Sequence, residues 1–363
     1  MMFWAGLGAV VLAFGISALA TPVTRRLACR FGALDIPARH KTHARPVPLL
    51  GGCAIFIAVL APSVLALALA SIWSVKGTPP WLPHSLAIHV DGAAAKAPMA
   101  LGILAGALVL HVVGLIDDLK NLGPWLKLAA QIAVAVAVVL LCGLRVLTTL
   151  GEPLSSILTV LWLVAITNAF NFLDNMDGLA AGVAAICAAA LLGASANMGQ
   201  LFVSAWLCLI LGAVAGFLPY NFPPASTFMG DAGSLVIGFL LGAVSCMTTY
   251  VRPGATYYLY GIFVPLVLMA VPLYDMVSVL LLRIRDRHNP MVGDRRHFSH
   301  RLARRGMAVR TVVLTIYLCT AGTAIAASLL AHVKDNTGAI LVFVQTLAIL
   351  LIVAVLEFSD GKP

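Results

Sequence analysis

Residues 98–127 read PMALGILAGALVLHVVGLIDDLKNLGPWLK, and this stretch decides the fold. Between Pro98 and Ile116 there is no Asp, Glu, Lys or Arg. As an α-helix these positions extend about 28 Å at ~1.5 Å per residue, close to the hydrocarbon thickness of a bilayer. The run ends abruptly in two adjacent carboxylates, Asp117 and Asp118, followed by Lys120, the break Gly123-Pro124 and Lys127. It reads as a membrane span that delivers paired acids to one membrane face.

The pattern recurs along the chain. Of 363 residues, 61% are hydrophobic and 10% charged, against about 25% charged in soluble domains. A water-facing globule is excluded. Apolar runs separated by charged or Pro/Gly-rich breaks predict spans at 2–21, 49–73, 98–116, 125–143, 156–173, 178–196, 200–218, 232–250, 256–282, 311–332 and 338–357. The expected fold class is therefore all-α: a polytopic membrane helical bundle of about eleven transmembrane helices, forming one integral membrane domain over 1–363. Only a short polar break divides 156–173 from 178–196.

Ala18-Leu19-Ala20 resembles a signal-peptide cleavage site, but no Lys or Arg precedes Arg25. The positives follow the first span instead, which puts the N-terminus outside. Eleven spans then place 18 of the 23 Lys and Arg residues on the cytoplasmic side, together with the C-terminus. The expected site-bearing segments, 21–48, 117–127, 171–178, 219–231 and 283–310, all lie on that face of the inner (plasma) membrane. Orientation accounts for the net charge of +9, so no nucleic-acid partner is expected. The seven cysteines show no metal or disulfide spacing and read as core. No inverted pair of broken spans of the transporter kind stands out.

Five carboxylates from three loops gather at the cytoplasmic face: Asp117, Asp118, Asp174, Asp177 and Asp231. Ionisable groups against hydrocarbon are costly and usually functional. Adjacent acids need compensation from a divalent cation, from Lys120 or Lys127, or from a shared proton. Asn168, Asn171, Asp174 and Asp177 stand at three-residue spacing, which on a helix makes a polar stripe. Helix capping by Asp177 or Asn175 explains one such residue but not four. In Phe228-Met229-Gly230-Asp231, Asp231 reads either as an N-cap or as a carboxylate holding Mg²⁺ against a phosphate. Phe228 reads as packing or as a platform for a base.

In the loop 283–310, orientation explains Arg283, Arg285, Arg304, Arg305 and Arg310. It does not explain His297 and His300 among Arg295, Arg296 and Arg301, a combination suited to a diphosphate. Zinc is disfavoured because no cysteine accompanies these histidines and the neighbouring cations oppose a metal. An acid cluster facing a His/Arg loop describes phosphoryl-transfer chemistry, and its bilayer position implies a lipid substrate. The many spans and Asp275, nearly alone inside one of them, motivate the competing reading, a membrane transporter or flippase.

At these residues the chain resembles the polyprenyl-phosphate N-acetylhexosamine-1-phosphate transferases. The resemblance runs through Asp35-x-Pro37, Lys41-x-His43-x-x-Pro46-x-Pro48-x-x-Gly51-Gly52, Asp117-Asp118 with Lys127, Asn171-x-x-Asp174-x-x-Asp177-Gly178-Leu179, Asn221, Phe228-Met229-Gly230-Asp231 and Asp294-x-x-His297-x-x-His300. It implies a Mg²⁺-dependent transfer, with Mn²⁺ as a substitute. Undecaprenyl or another polyprenyl phosphate attacks the β-phosphorus of a UDP-N-acetylhexosamine and UMP leaves. By the same resemblance Asp231 ligates the metal, Asp117 deprotonates or orients the lipid phosphate, and Asp118 and Lys127 support it. Asn171, Asp174, Asp177, Asn221 and Phe228 bind the nucleotide, Lys41 also binds substrate, and His297, His300 and Arg301 bind diphosphate and sugar.

Two positions depart from the family pattern. Ser299 stands where His-x-His-His is usual, and His40 stands where Arg commonly precedes Lys41. The triple-histidine run of the phospho-MurNAc-pentapeptide translocase branch is absent, so N-acetylglucosamine is the preferred sugar. The expected role is the first membrane step of a cell-envelope glycan pathway, lipopolysaccharide or teichoic-acid biosynthesis among them. A homodimer is compatible with all of this.

Overall fold

The computed structural model describes residues 2–36, 46–250, 259–287, 296–330, 332–333 and 335–358. The described chain is almost wholly helical. The long helices are α1 (Met2–Phe31), α2 (Gly51–Lys76), α4 (Val90–Lys120), α5 (Pro124–Cys142), α6 (Glu152–Leu173), α7 (Leu179–Asn197), α8 (Leu201–Asn221), α9 (Asp231–Met247), α11 (Ala270–Arg285), α13 (Val309–Leu330) and α14 (Asn336–Phe358). Three short helices complete the set: α3 (His84–Ala87), α10 (Val264–Leu268) and α12 (Phe298–Arg304). A two-stranded antiparallel ribbon pairs β1 (Leu34–Asp35) with β2 (Val47–Pro48).

Each expected span has a helix, but two depart from a simple rod. Among the described residues, nine helices are long and apolar enough to cross a membrane, and a bent pair makes a tenth. That pair, Tyr260–Leu268 and Ala270–Arg285, turns by 64°. Pro272, in the first turn of α11, has no N–H with which to continue a ladder from the preceding helix, so the rod breaks there. The second departure is α9, only 17 residues long. It is apolar all round and buried along nearly its whole length, as expected of a helix surrounded by protein rather than lipid.

α9 is the axis on which the site is built, with α2, α4 and α6 packed around its start. Close approach there depends on glycine. A Cβ at Gly52 would lie 2.3 Å from the Gly233 nitrogen, and one at Gly114 would lie 2.5 Å from the Ala232 nitrogen. The N-terminus of α2 docks on the segment before α9, where Gly51 N–H donates to the Phe228 carbonyl (3.0 Å) and Gly52 N–H to the Met229 carbonyl (2.9 Å). Phe228 N–H in turn donates to the Pro48 carbonyl (2.8 Å), which ties the ribbon to the same place.

Both sides of the Gly52–Gly233 contact are backbone, so no rotamer change can relieve an added methyl. Gly52→Ala is expected to destabilise the protein by about 1–3 kcal/mol. Gly8→Ala, where nothing lies within 4 Å of the new Cβ, should leave the unfolding midpoint nearly unchanged. Thermal unfolding of the two purified variants in one detergent checks the contrast.

Candidate active site

The last turn of α4 brings Asp117 and Asp118 against the first turn of α9. Asp118 acts as a cap supplied from another helix. Its Oδ1 accepts the Asp231 N–H at 2.8 Å and its Oδ2 the Ala232 N–H at 3.1 Å. These are two of the orphan donors of the α9 N-terminus, where a carboxylate also meets the positive end of the helix dipole. Asp231 is thus the first helical residue of α9, and Gly230 (φ +68°) occupies the cap position. A Cβ on Gly230 would stand 2.5 Å from Asp118 Oδ2.

Lys127, near the start of α5, bridges the acids. Its Nζ lies 2.9 Å from Asp117 Oδ2 and 2.6 Å from Asp231 Oδ2. Asn171 of α6 donates to the other Asp231 oxygen (3.0 Å) and to Ser234 Oγ (2.9 Å). Two helices, α5 and α6, therefore fix the Asp231 carboxylate, and α4 holds its backbone. Asp117 Oδ1 is buried and makes no hydrogen bond among the described residues. Asp174 stands in the turn after α6, and burial, reinforced by the charges of Asp231 and Asp177, pushes its carboxyl up to about 8.

These groups line a cavity of about 1150 Å³. The same cavity is lined by Arg283 at the end of α11 and by His297 and His300 at the start of α12. Arg283 is 2% exposed, and its guanidinium carbon sits 5.4 Å from the centre of the Phe172 ring, a cation–π arrangement. The His297 ring meets Phe172 edge-on, with centroids 5.8 Å apart. His297 Nδ1 is 2.8 Å from Oδ2 of the fully buried Asp275.

A sequence model of glycosyl transferase family 4 matches residues 100–249. The chain is 33% identical over 322 residues to the probable undecaprenyl-phosphate N-acetylglucosaminyl 1-phosphate transferase of Bacillus subtilis, covering 85% of this chain and 81% of that one. It is 34% identical over 341 residues to the decaprenyl-phosphate N-acetylglucosaminephosphotransferase of Mycolicibacterium smegmatis (86% and 78% covered). The chain belongs to the polyprenyl-phosphate N-acetylglucosamine-1-phosphate transferases. More distant members match as well, such as the undecaprenyl-phosphate alpha-N-acetylglucosaminyl 1-phosphate transferase of Escherichia coli K12, 28% identical over 312 residues with 82% and 76% covered.

Most residues singled out from the sequence of this transferase converge on the one cavity: Asp117, Asp118, Lys127, Asn171, Asp174, Asp177, Asn221, Phe228, Asp231, His297 and His300 all line it. Their roles are less uniform than the motifs suggest. Asn221 is 1% exposed and spends its amide on protein, accepting from the Gly178 N–H (3.0 Å) and donating to the Thr227 carbonyl (3.0 Å). Asp177 accepts the Ala225 N–H at 2.8 Å. Both hold the turn 174–178 against the segment before α9. The polar stripe is not one helix face, because α6 ends at Leu173. Asn168 and Asn171 are helical, while Asp174 and Asp177 sit in the turn. Asn168 donates to Gln131 and to the Val164 carbonyl.

Arg301 is a correction. Expected at the diphosphate, it is instead buried against α14, with its Nη2 2.8 Å from Glu357 Oε2 and 3.1 Å from Ser278 Oγ. Its four-residue spacing from His297 did not foretell this, because on a helix that spacing puts the two residues on one face. Lys41 lies outside the described residues, as do His40, His43 and Asp294. Asp35 and Arg283, which also line the cavity, fell in the expected site-bearing segments but were given no role of their own. Arg283 in particular was indistinguishable from an orientation signal.

Gly230 offers a test of the Asp118 cap. Gly32 and Gly230 both have left-handed φ, but only at Gly230 would a Cβ displace a neighbour. Gly32→Ala is expected to cost about 1 kcal/mol from backbone strain alone. Gly230→Ala should cost roughly 2–4 kcal/mol, because strain and the displaced carboxylate add. The difference in unfolding midpoints reports the combined strain and displacement at Gly230.

Proposed function

We propose that the protein transfers N-acetylglucosamine 1-phosphate from UDP-N-acetylglucosamine to a polyprenyl phosphate, releasing UMP, with Mg²⁺ bound at Asp231. The observation that carries this reading is the shared lining of one cavity, to which Asp117, Lys127 and Asp231 contribute together with Arg283, His297 and His300. The relatives named above act on undecaprenyl or decaprenyl phosphate. The basic bias of the loops favours a cavity open to the cytoplasm.

The donor set fits a hard cation. Among the described residues no three His, Cys, Asp or Glu side chains form a ready-made cage. Mg²⁺, however, commonly takes one or two carboxylates and completes its shell with water and substrate phosphates. Asp231 and the unpartnered Asp117 Oδ1 supply such oxygens. When bound, the ion would neutralise the diphosphate and polarise the phosphorus under attack.

The chain's own residues do the remainder. Asp118 fixes the start of α9 and with it Asp231, while Asn171 sets the rotation of the Asp231 carboxylate. Lys127 keeps the carboxylates from repelling one another and offers a cation to the lipid phosphate. Asp117 accepts or orients the acceptor's proton. A lipid phosphate oxygen then forms a P–O bond to the sugar-bearing phosphorus as the anhydride bond breaks, and the bridging oxygen leaves with UMP. Arg283, His297 and His300 face the diphosphate as donors, and Phe228 and Asp174 take the nucleotide. The transporter reading loses one of its motives, because Asp275 is paired with His297 rather than lining a pathway.

Purified protein supplied with UDP-N-acetylglucosamine, undecaprenyl phosphate and Mg²⁺ is expected to release UMP, and EDTA should abolish the release. Asp231→Asn should lower kcat by about 10²-fold or more. UMP release that survives Asp231→Asn unchanged would overturn the metal assignment. Release only with a different UDP-sugar would overturn the choice of donor.

A further inference from the structure

α11 carries a single acid, Asp275, which is fully buried within the bundle. Both of its oxygens are engaged at the start of α12. Oδ2 lies 2.8 Å from His297 Nδ1, and Oδ1 accepts the Phe298 N–H at 3.0 Å. One carboxylate therefore holds a ring and the first turn of the helix that carries it. The ring it holds lines the cavity, edge-on to Phe172 and 6.2 Å from the ring of His300.

An ionised carboxylate only accepts hydrogen bonds, so the ring nitrogen facing it must carry a proton. With Nδ1 committed to Asp275, Nε2 is the nitrogen left for the cavity. When an imidazole carries both protons each nitrogen donates, here one to Asp275 and the other, Nε2–H, into the cavity. That is the form a diphosphate oxygen requires. A histidine serving only as core packing would need neither a buried acid at its back nor a place on a cavity wall.

We propose that Asp275 is a positioning residue for the phosphate-facing wall, holding His297 with Nδ1 protonated and Nε2 presented to the diphosphate of the donor. The part that concerns the diphosphate rests on the transferase reading above, whereas the hold on the ring does not.

The full chain, labelled with ¹⁵N-histidine and placed in lipid bilayers, gives a test that needs no turnover. The signal lost in His297→Gln belongs to His297. It is expected to show a protonated Nδ1 in the unsubstituted protein and to change in Asp275→Asn. A bare Nδ1, or a signal indifferent to Asp275→Asn, overturns the proposal.

UMP release gives the second arm. Asp275→Asn should lower kcat/KM by about 10²-fold, yet add no more than about twofold to the loss in His297→Gln. Full additivity of the two losses would mark Asp275 as merely structural and overturn the proposal. If the unsubstituted protein released no UMP while Nδ1 proved protonated, the functional reading would fail and the hold of Asp275 on His297 would stand.

Discussion

Everything at this site depends on bringing carboxylates together where hydrocarbon begins. Partial burial strips them of solvent, and like charges so close raise each other's energy. The structure meets the constraint with two contacts that cross between helices. Lys127 bridges Asp117 and Asp231 and offsets one of their two charges, and Asp118 spends its charge on the N-terminus of α9. Each contact joins a helix end to a helix end, so the same bonds that make the acids tolerable also set the relative height of α4, α5 and α9. The glycines at 52, 114 and 230 follow from this, because side chains there would hold the backbones too far apart for the contacts to form.

Much of the fold was legible because a bilayer imposes a single requirement, an apolar run of sufficient length with its backbone internally satisfied. Eleven such runs could be read, and each has its helix. Legibility failed where protein rather than lipid is the solvent. α9 is apolar like its neighbours, so composition could not reveal that it stops at 17 residues and is enclosed by other helices. The bend before α11 was marked by Pro272, but a proline in an apolar run tells neither the angle nor whether the rod survives.

The site divides in the same way. Residue type and loop of origin were enough to gather the acids, Asn171 and the histidines. The direction of a side chain was not readable, and direction separates Arg283 from Arg301. Both are arginines near the same face. One closes the cavity over Phe172, and the other turns into the bundle to meet Glu357. Asp275 was visible as an anomaly, a lone acid in a span. Its partner lies 22 residues away across a loop, a distance that no local spacing rule connects.

The two walls are held by opposite means. The acidic wall is made of helix ends, rigid because α4, α5, α6 and α9 are long and mutually packed. The cationic wall hangs partly on α12, seven residues that have little stability alone. A helix so short keeps its place only if it is fastened, and both fastenings described here are buried acids on long helices. Asp275 of α11 takes His297 and the Phe298 N–H, and Glu357 of α14 takes Arg301, with Tyr274 donating to its second oxygen at 2.6 Å. The acids that face the cavity and the acids that do not are thus parts of one arrangement: Lys127 bridges Asp117 and Asp231 of the first set, and the second set holds His297 and Arg301. Removing an acid of the second set would leave every cavity-facing acid in place and still loosen the cationic wall.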